Sequence, residues 1–366
     1  MKAERCYLDH NATTPLREEA RAAMIAAMDV LGNPSSVHRE GRKAKMLVEK
    51  ARAQVAALVG CLPAQVVFTS SATEAAALAV AQKARHGGIF AALPTEHDCL
   101  GVWSEGALPG WYDRQGRYQP QPEADVRLLA LSAANSETGV MPPSGFLKQM
   151  DAQHVICDIT QVAGKIAVAF EAGHRPAYAI LSAHKMGGPK GIGAMINFTR
   201  DDPEPLLRGG GQEMNRRSGT ENITGIAGFG AAAEAAARDL AAGRWEEIEE
   251  LRNILENALA TSAKKTIFVG NQVPRLPNTS CIIAEGWKGE TQVMQMDLAG
   301  FAISAGSACS SGKVKASKVL QAMGYNESEA ASAIRVSLGL ETTKTDVLRF
   351  ADEWLAKRDK HAQRAA

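Results

Sequence analysis

Residues 181–196, LSAHKMGGPKGIGAMI, put a lysine where lysines are costly. The apolar run YAILSA ends at His184 and Lys185, and a glycine-rich turn and a second apolar run follow. An amine at the end of a buried strand needs a partner, or an environment that strips its charge. An uncharged lysine amine attacks carbonyl carbon, so Lys185 is a candidate to hold an aldehyde as an imine. A phosphate-binding or salt-bridged lysine is the alternative. GGPKGIG fits neither the Walker pattern nor G-x-G-x-x-G, which argues against a nucleotide loop.

The other apolar runs also end on residues with chemistry. VVF is followed by TSSATEAAALAV, FAALP by TEHDCL with His97, and LLALSAA by NSETG with Asn135. HVIC is followed by DITQ with Asp158 and Gln161, and YAIL by SAHK. In open α/β sheets ligands bind beyond the carboxyl ends of the strands, so these tips together describe one site. Ser71 and Glu74 have capping-box spacing, which predicts a helix starting at Ser71. Its free N–H groups would face the same edge and suit a phosphate, although an ordinary capped helix has the same signature. Asp158 could be a helix cap, a metal ligand or the partner of a pyridinium nitrogen. A phosphate seat, an acid for a ring nitrogen and a lysine are the parts of a pyridoxal phosphate (PLP) site.

These tips need a framework. LREEARAAMIAAMDVL and VHREGRKAKMLVEKARAQVAALVG carry apolar residues at helical spacing. QVVFTS, GIFAAL, VRLLALSAA, HVICDI, YAILSA and GAMINF then read as short strands separated by crossover-length stretches, which predicts a mostly parallel sheet. Residues 223–260 read as one or two long helices, and a domain boundary is expected inside them, near residue 245. TIFVG, TSCIIA, TQVMQMDLAG, AIRVSLG and a final helix from Thr343 form a second strand-and-helix set. The fold class is α/β with a smaller α/β domain at the C-terminal end.

The 366 residues are 45% hydrophobic and 22% charged, ordinary for a globular enzyme, and suggest about two domains. A net charge of +1 gives no reason to expect nucleic acid or an acidic membrane surface as partner. No signal peptide and no apolar run near 18 residues is visible, so a cytoplasmic protein with no membrane contact is expected. The six cysteines show no C-x-x-C pair and no histidine at zinc spacing, so neither disulfides nor a metal site is expected.

The chain resembles the cysteine desulfurases, PLP-dependent enzymes of the class V aminotransferase group. The resemblance runs through YLDHNATTP, GNPSSVH, SSATEAAAL, TEHDCL, ANSETG, CDITQ, SAHKMGGPKGIGA, RGGGQEMNRRSGTEN, SAGSACSSG and IRVSLG, in that order. It implies fold type I, with a large domain over residues 15–245 built on a mostly parallel sheet of seven-stranded type. Residues 1–14 and 246–366 would form the small domain. Lys185 then resembles the Schiff-base lysine. Ala72 and Thr73, with Ser182 and His184, resemble the phosphate seat, and Thr220 resembles the residue that reaches it from the other subunit of a homodimer. Asp158 would pair with the pyridine nitrogen, Gln161 with the ring hydroxyl, and His97 would stack on the ring and move protons. Asn135 and Arg335 resemble the groups that hold the substrate carboxylate. The sequence departs from the family at Ser71, where Gly is usual, at Ala75 and Ala77, where polar residues are usual, and at Ser136, where a second Asn is common.

Cys309 lies in SAGSACSSGKVKASK, a run of small and polar residues that cannot pack a core. Most other cysteines sit among apolar neighbours, as in VICDI and TSCIIA, and read as buried thiols; Cys99, close to His97, is the less certain exclusion. Composition leaves Cys309 either reactive or merely exposed. The resemblance makes it the sulfur-accepting cysteine and places the segment in the longer-loop group of the family. The reaction it implies turns L-cysteine into L-alanine and leaves a persulfide on Cys309. The sulfur would pass to an acceptor protein, such as a scaffold for iron–sulfur clusters. A selenocysteine lyase or a PLP aminotransferase would share most of these residues.

Overall fold

The computed structural model describes residues 5–106, 108–120, 126–149, 154–168, 170, 173–262, 266–306 and 316–365. The first strands in chain order are β1 (Cys6–Tyr7), β2 (Val66–Thr69), β3 (Ile89–Ala92), β4 (Val126–Ser132), β5 (His154–Asp158), β6 (Tyr178–Ser182) and β7 (Gly193–Asn197). The last six of these form one sheet, in the order β2-β7-β6-β5-β4-β3. Strands β3 to β6 run parallel, and β7 is antiparallel to both of its neighbours. Each of the six runs from QVVFTS to GAMINF is therefore a strand. The sheet has the expected mostly parallel character, with six strands among the described residues.

The strands are apolar without interruption because both faces of the sheet are covered. Leu129, Leu131, Ala179 and Leu181 point to one face, where they share a core with Val48, Val55, Ile226 and Phe229. Leu128, Ala130, Ile156 and Ile180 point to the other, against Ala76, Leu78 and Leu100. The first layer contains α1 (Glu18–Met28), α2 (Arg39–Val59) and, later in the chain, the helix Ile223–Ala241. The second contains α3 (Ala72–Ala81), α4 (Lys83–His86) and α5 (Asp98–Gly101). Residues 223–260 are two helices, α6 (Ile223–Ala241) and α7 (Arg244–Ser262), parted at Gly243, whose φ of +69° suits glycine.

Beyond α7 come β8 (Thr266–Phe268), β9 (Thr279–Ala284), α8 (Gly289–Leu298), β10 (Phe301–Ala302), β11 (Ser304–Ala305), α9 (Lys318–Ala322), α10 (Glu327–Ala331), β12 (Ala333–Ser337) and α11 (Lys344–Ala365). Strands β11-β12-β9-β8 form an antiparallel sheet. The N-terminal strand β1 pairs in parallel with β10, and Cys6 and Leu8 are buried with Leu255, Trp287, Phe301, Phe350 and Trp354. The chain then runs from that core to the edge of the large sheet within a few residues. No helix among the described residues is long and apolar enough to cross a membrane.

Candidate active site

Strand β6 ends at Ser182, and one tight helical turn, Ala183–Lys185, carries the lysine to the carboxyl edge of the sheet. The half-buried Lys185 donates from Nζ to the backbone oxygens of Asn11 (2.6 Å) and Ala12 (2.8 Å). The backbone N–H of Thr14 donates to the oxygen of His184, and the His184 ring meets the Thr13 hydroxyl at 3.1 Å. The DHNATTP segment thus wraps the lysine. Burial, with the positive charges of Lys185 and Lys190, pushes the pKa of His184 down to about 4, so its ring is neutral at physiological pH.

On the neighbouring strand, Asp158 closes β5 and is buried, and its carboxylate accepts the backbone N–H of Thr160 at 2.8 Å. Gln161 follows in the next turn. Its amide nitrogen donates to Asn11 O (3.1 Å) and its amide oxygen accepts from Lys165 Nζ (2.9 Å). The buried Thr160 hydroxyl has no partner among the described residues. An acid, an amide and an unused hydroxyl thus lie one strand away from Lys185.

Ser71 caps α3 as its spacing predicts, accepting the N–H of Glu74 at 3.2 Å. The reciprocal bond falls one residue earlier than a capping box requires: the Glu74 carboxylate accepts from Ser70 N at 2.7 Å and also pairs with Arg217 at 2.9 Å. The N–H groups of half-buried Ala72 and exposed Thr73 are left without intrahelical partners. This end of the helix is pressed against the sheet. A Cβ on Gly193, which stands opposite Ser182 in register, would lie 2.8 Å from Ala72 N and 2.7 Å from Leu181 O. An anion seat at a helix start, a buried carboxylate and a lysine on adjacent strand ends fit PLP's phosphate, ring nitrogen and aldehyde in chemical type.

Arg335, on β12, reaches the same edge from the small sheet. Its guanidinium is buried (6% exposed) and donates to Asp9 at 2.8 Å and to Ser136 O at 3.0 Å, while the buried Nε has no partner among the described residues. A buried cation with an unspent donor is suited to a carboxylate. Asn135 is more committed than a free substrate ligand. Its oxygen accepts from the Glu137 and Thr138 backbone, both at 2.9 Å, and its nitrogen donates to Thr95 O, also at 2.9 Å. One N–H remains for another acceptor. His97 caps α5, with Nδ1 accepting Cys99 N at 3.1 Å, so a neutral ring carries its proton on Nε2.

Cys309 lies outside the described residues, but both flanks of its segment are placed. β11 pairs Ser304 with Arg335, and Ser304 donates to Asp9 at 2.8 Å. On the far side, Ser317 caps α9 and donates to Glu137 at 2.5 Å. Burial raises the Glu137 pKa to about 7. Burial likewise raises that of Glu96, which accepts from the Ser132 hydroxyl, to about 8. Thr220 is exposed and lines a cleft of about 210 Å³ with Thr69, Ser70, Gly191 and Arg217 of its own chain. The segment before it is anchored by a buried pair, Arg52 with Glu213, whose two bonds are both 2.8 Å.

Comparison with known proteins shows the family. The family model for Aminotransferase class-V matches residues 6–350. A cysteine desulfurase of Klebsiella pneumoniae is 36% identical, over 93% of this chain and 89% of that protein. The chain belongs to the cysteine desulfurase family. The cysteine desulfurase IscS of Dictyoglomus turgidum is 34% identical over 95% of this chain and 92% of its own length. The X-ray structure of a NifS-like protein from Rickettsia africae ESF-5 superposes with a TM-score of 0.85 at 30% identity, covering 97% of this chain and all of that one (100%). As a member of this family the protein is a PLP-dependent enzyme.

Sequence reasoning missed four residues that organise the site: Asp9, Asn11, Glu137 and Lys165. Asn11 is almost fully buried and uses its whole side chain. Its nitrogen donates to Thr279 at 2.9 Å and to Ser136 O at 3.4 Å, and its oxygen accepts from Lys165 and Asn278, both at 3.2 Å. A signal for Lys165 was available, since it is the one charged residue in QVAGKIAVAF.

Proposed function

We propose that the protein is a cysteine desulfurase that converts L-cysteine to L-alanine and receives the sulfur on Cys309. The carrying observation is that Lys185, Asp158 and Arg335 converge on one sheet edge, with both flanks of the Cys309 segment bonded beside Arg335 through Asp9 and Glu137. Bound PLP supplies an electron sink for charge that develops on the substrate α-carbon. Asp158 keeps the ring nitrogen protonated, Gln161 meets the ring hydroxyl, and the start of α3 (Ala72, Thr73), with Ser182 and His184, seats the phosphate. Thr220 reaches the phosphate seat of the partner in a homodimer. The exposed Ile25 (57%) and Met28 (66%) on α1 offer apolar surface for such a partner.

Arg335 binds the substrate carboxylate with the remaining N–H of Asn135. Lys185 Nζ takes the α-proton, and Cys309 as thiolate attacks the substrate sulfur. The Cβ–S bond of cysteine breaks with its electron pair on carbon, an S–S bond forms on Cys309, and Cβ takes up a proton so that the carbon skeleton leaves as alanine. His97, with its proton on Nε2, handles the proton exchanged between the two thiols. The division is into a large domain, residues 15–245, and a small domain, residues 1–14 and 246–366; the small domain packs one core of its own around Leu8, Leu255 and Trp354, while its Cys281, Ile283 and Ala333 join the core of the large sheet. The persulfide then supplies an acceptor protein, with iron–sulfur cluster assembly as the proposed use.

The test is incubation with L-cysteine followed by mass analysis of the peptide containing Cys309. One added sulfur is expected, together with alanine. Cys309→Ser should keep the cofactor colour and form no persulfide. Sulfide release from cysteine at the wild-type rate in that variant would reject the assignment.

A further inference from the structure

Lys165 has no part in the reaction as derived above, yet it is the most deeply buried amine beside the site, at 2% exposed. Its Nζ donates to Gln161 Oε1 (2.9 Å) and to Asn11 Oδ1 (3.2 Å). We infer that Lys165 is a positioning residue: it holds the amide oxygen of Gln161, so that the amide N–H is the end offered to the cofactor's ring oxygen. The inference rests on the reading that Gln161 meets that oxygen.

The polarity of the Gln161 amide follows from its partners. Asn11 O can only accept, and Gln161 Nε2 lies 3.1 Å from it. Turning the amide over would set oxygen against oxygen there and leave Lys165 facing an NH2 group. With its oxygen taken by Lys165 and one N–H by Asn11, Gln161 keeps one N–H to give. Burial, with the positive charges of Lys185 and Arg335, pushes the Lys165 pKa well below the usual lysine range. That favours the uncharged amine, whose two N–H bonds match the two acceptors. The Lys185 amine shares the Asn11 carbonyl with Gln161. Lys165 also bonds through Asn11 to the small sheet, because Asn11 binds Thr279 and Asn278.

The readout is the pH midpoint of the visible absorbance of the PLP-loaded protein, measured without substrate. A hydrogen bond donated to the ring oxygen stabilises its anionic form. Losing it should move the midpoint upward by about one to two pH units, the scale of a bond to a charged group. Lys165→Met and Gln161→Leu should each produce such a shift, and the double variant should go no further than Gln161→Leu alone. A Lys165→Met midpoint equal to wild type, or additive shifts in the double variant, would overturn the inference while leaving the Gln161 contact standing. An unshifted Gln161→Leu would instead overturn the parent reading and the inference with it. Should Lys165→Met fail to fold, Gln161→Glu serves in its place. A carboxylate whose one oxygen is held by Lys165 must face the ring oxygen with the other, so the shift should exceed that of Gln161→Leu. A shift no larger than that would mean Lys165 does not hold the side chain.

Discussion

Replacing Arg335 by Ala removes a buried guanidinium beside the site. Two of its nitrogens already serve the protein, through Asp9 at 2.8 Å and Ser136 O at 3.0 Å, and the third, Nε, has no partner among the described residues. A net hydrogen bond to a charged group contributes about 1.5–3 kcal/mol. At about 1.36 kcal/mol per tenfold, losing one such bond to the substrate carboxylate lowers kcat/KM by roughly 10- to 150-fold. The loss should appear mainly in KM, because the carboxylate does not change charge during the reaction. Arg335→Ala also strands Asp9, which keeps the Ser304 hydroxyl as a donor but loses its cation, so the protein should be less stable. Asp9→Asn combined with Arg335→Ala separates the two effects, recovering stability without recovering KM. The assay is steady-state alanine formation from L-cysteine, compared with turnover of cysteamine, which lacks the carboxylate. Arg335→Ala should erase most of the discrimination between the two. If the variant binds its cofactor and still prefers cysteine by the wild-type margin, the carboxylate is held elsewhere and the reasoning is wrong.

Lys185→Ala should abolish turnover and the lysine-dependent visible absorbance; borohydride treatment of the wild type should leave a pyridoxyl mass on the peptide containing Lys185, and its absence there would move the link to another residue. Burial lifts the Glu96 pKa from 4.5 to about 8, so its stabilising contribution is complete below pH 4.5 and is lost as pH rises through about 8. The difference in Tm between wild type and Glu96→Gln should therefore fall across that window, and a constant difference would mean that Glu96 is ionised throughout. Glu213→Ala leaves the Arg52 charge buried without its bidentate partner and should cost about 3–5 kcal/mol in urea unfolding. A cost under about 1 kcal/mol, the range of exposed pairs, would show that the site is open to water.

The residues that local pattern could place were those at strand tips. A β-branched run buried on both faces must stop where its polar residues begin, so His97, Asn135, Asp158, Gln161 and Lys185 announced themselves by position alone. Ser71 and Glu74 were likewise legible, because a cap operates within one helical turn. Thr220 and Arg335 carry no such local mark and came from the resemblance, since one sits in a glycine-rich loop and the other inside an apolar strand.

Contacts between segments distant in sequence were a different matter. Asn11 lies 174 residues from the lysine whose amine it accepts and 268 from the threonine hydroxyl it binds. No periodicity links such positions, because they meet only when β1 joins β10 and draws the N-terminal segment across the cleft. The same crossing put Asp9 beside Arg335 and left Lys165 buried against Asn11. The chain's own pattern dictated the α/β layering, the edge where chemistry occurs and the residue types there, since each depends on burial along a single element. Which of those groups are free to react and which are spoken for emerged only once the two sheets stood against each other, because hydrogen-bond partners are assigned by packing rather than by order in the chain.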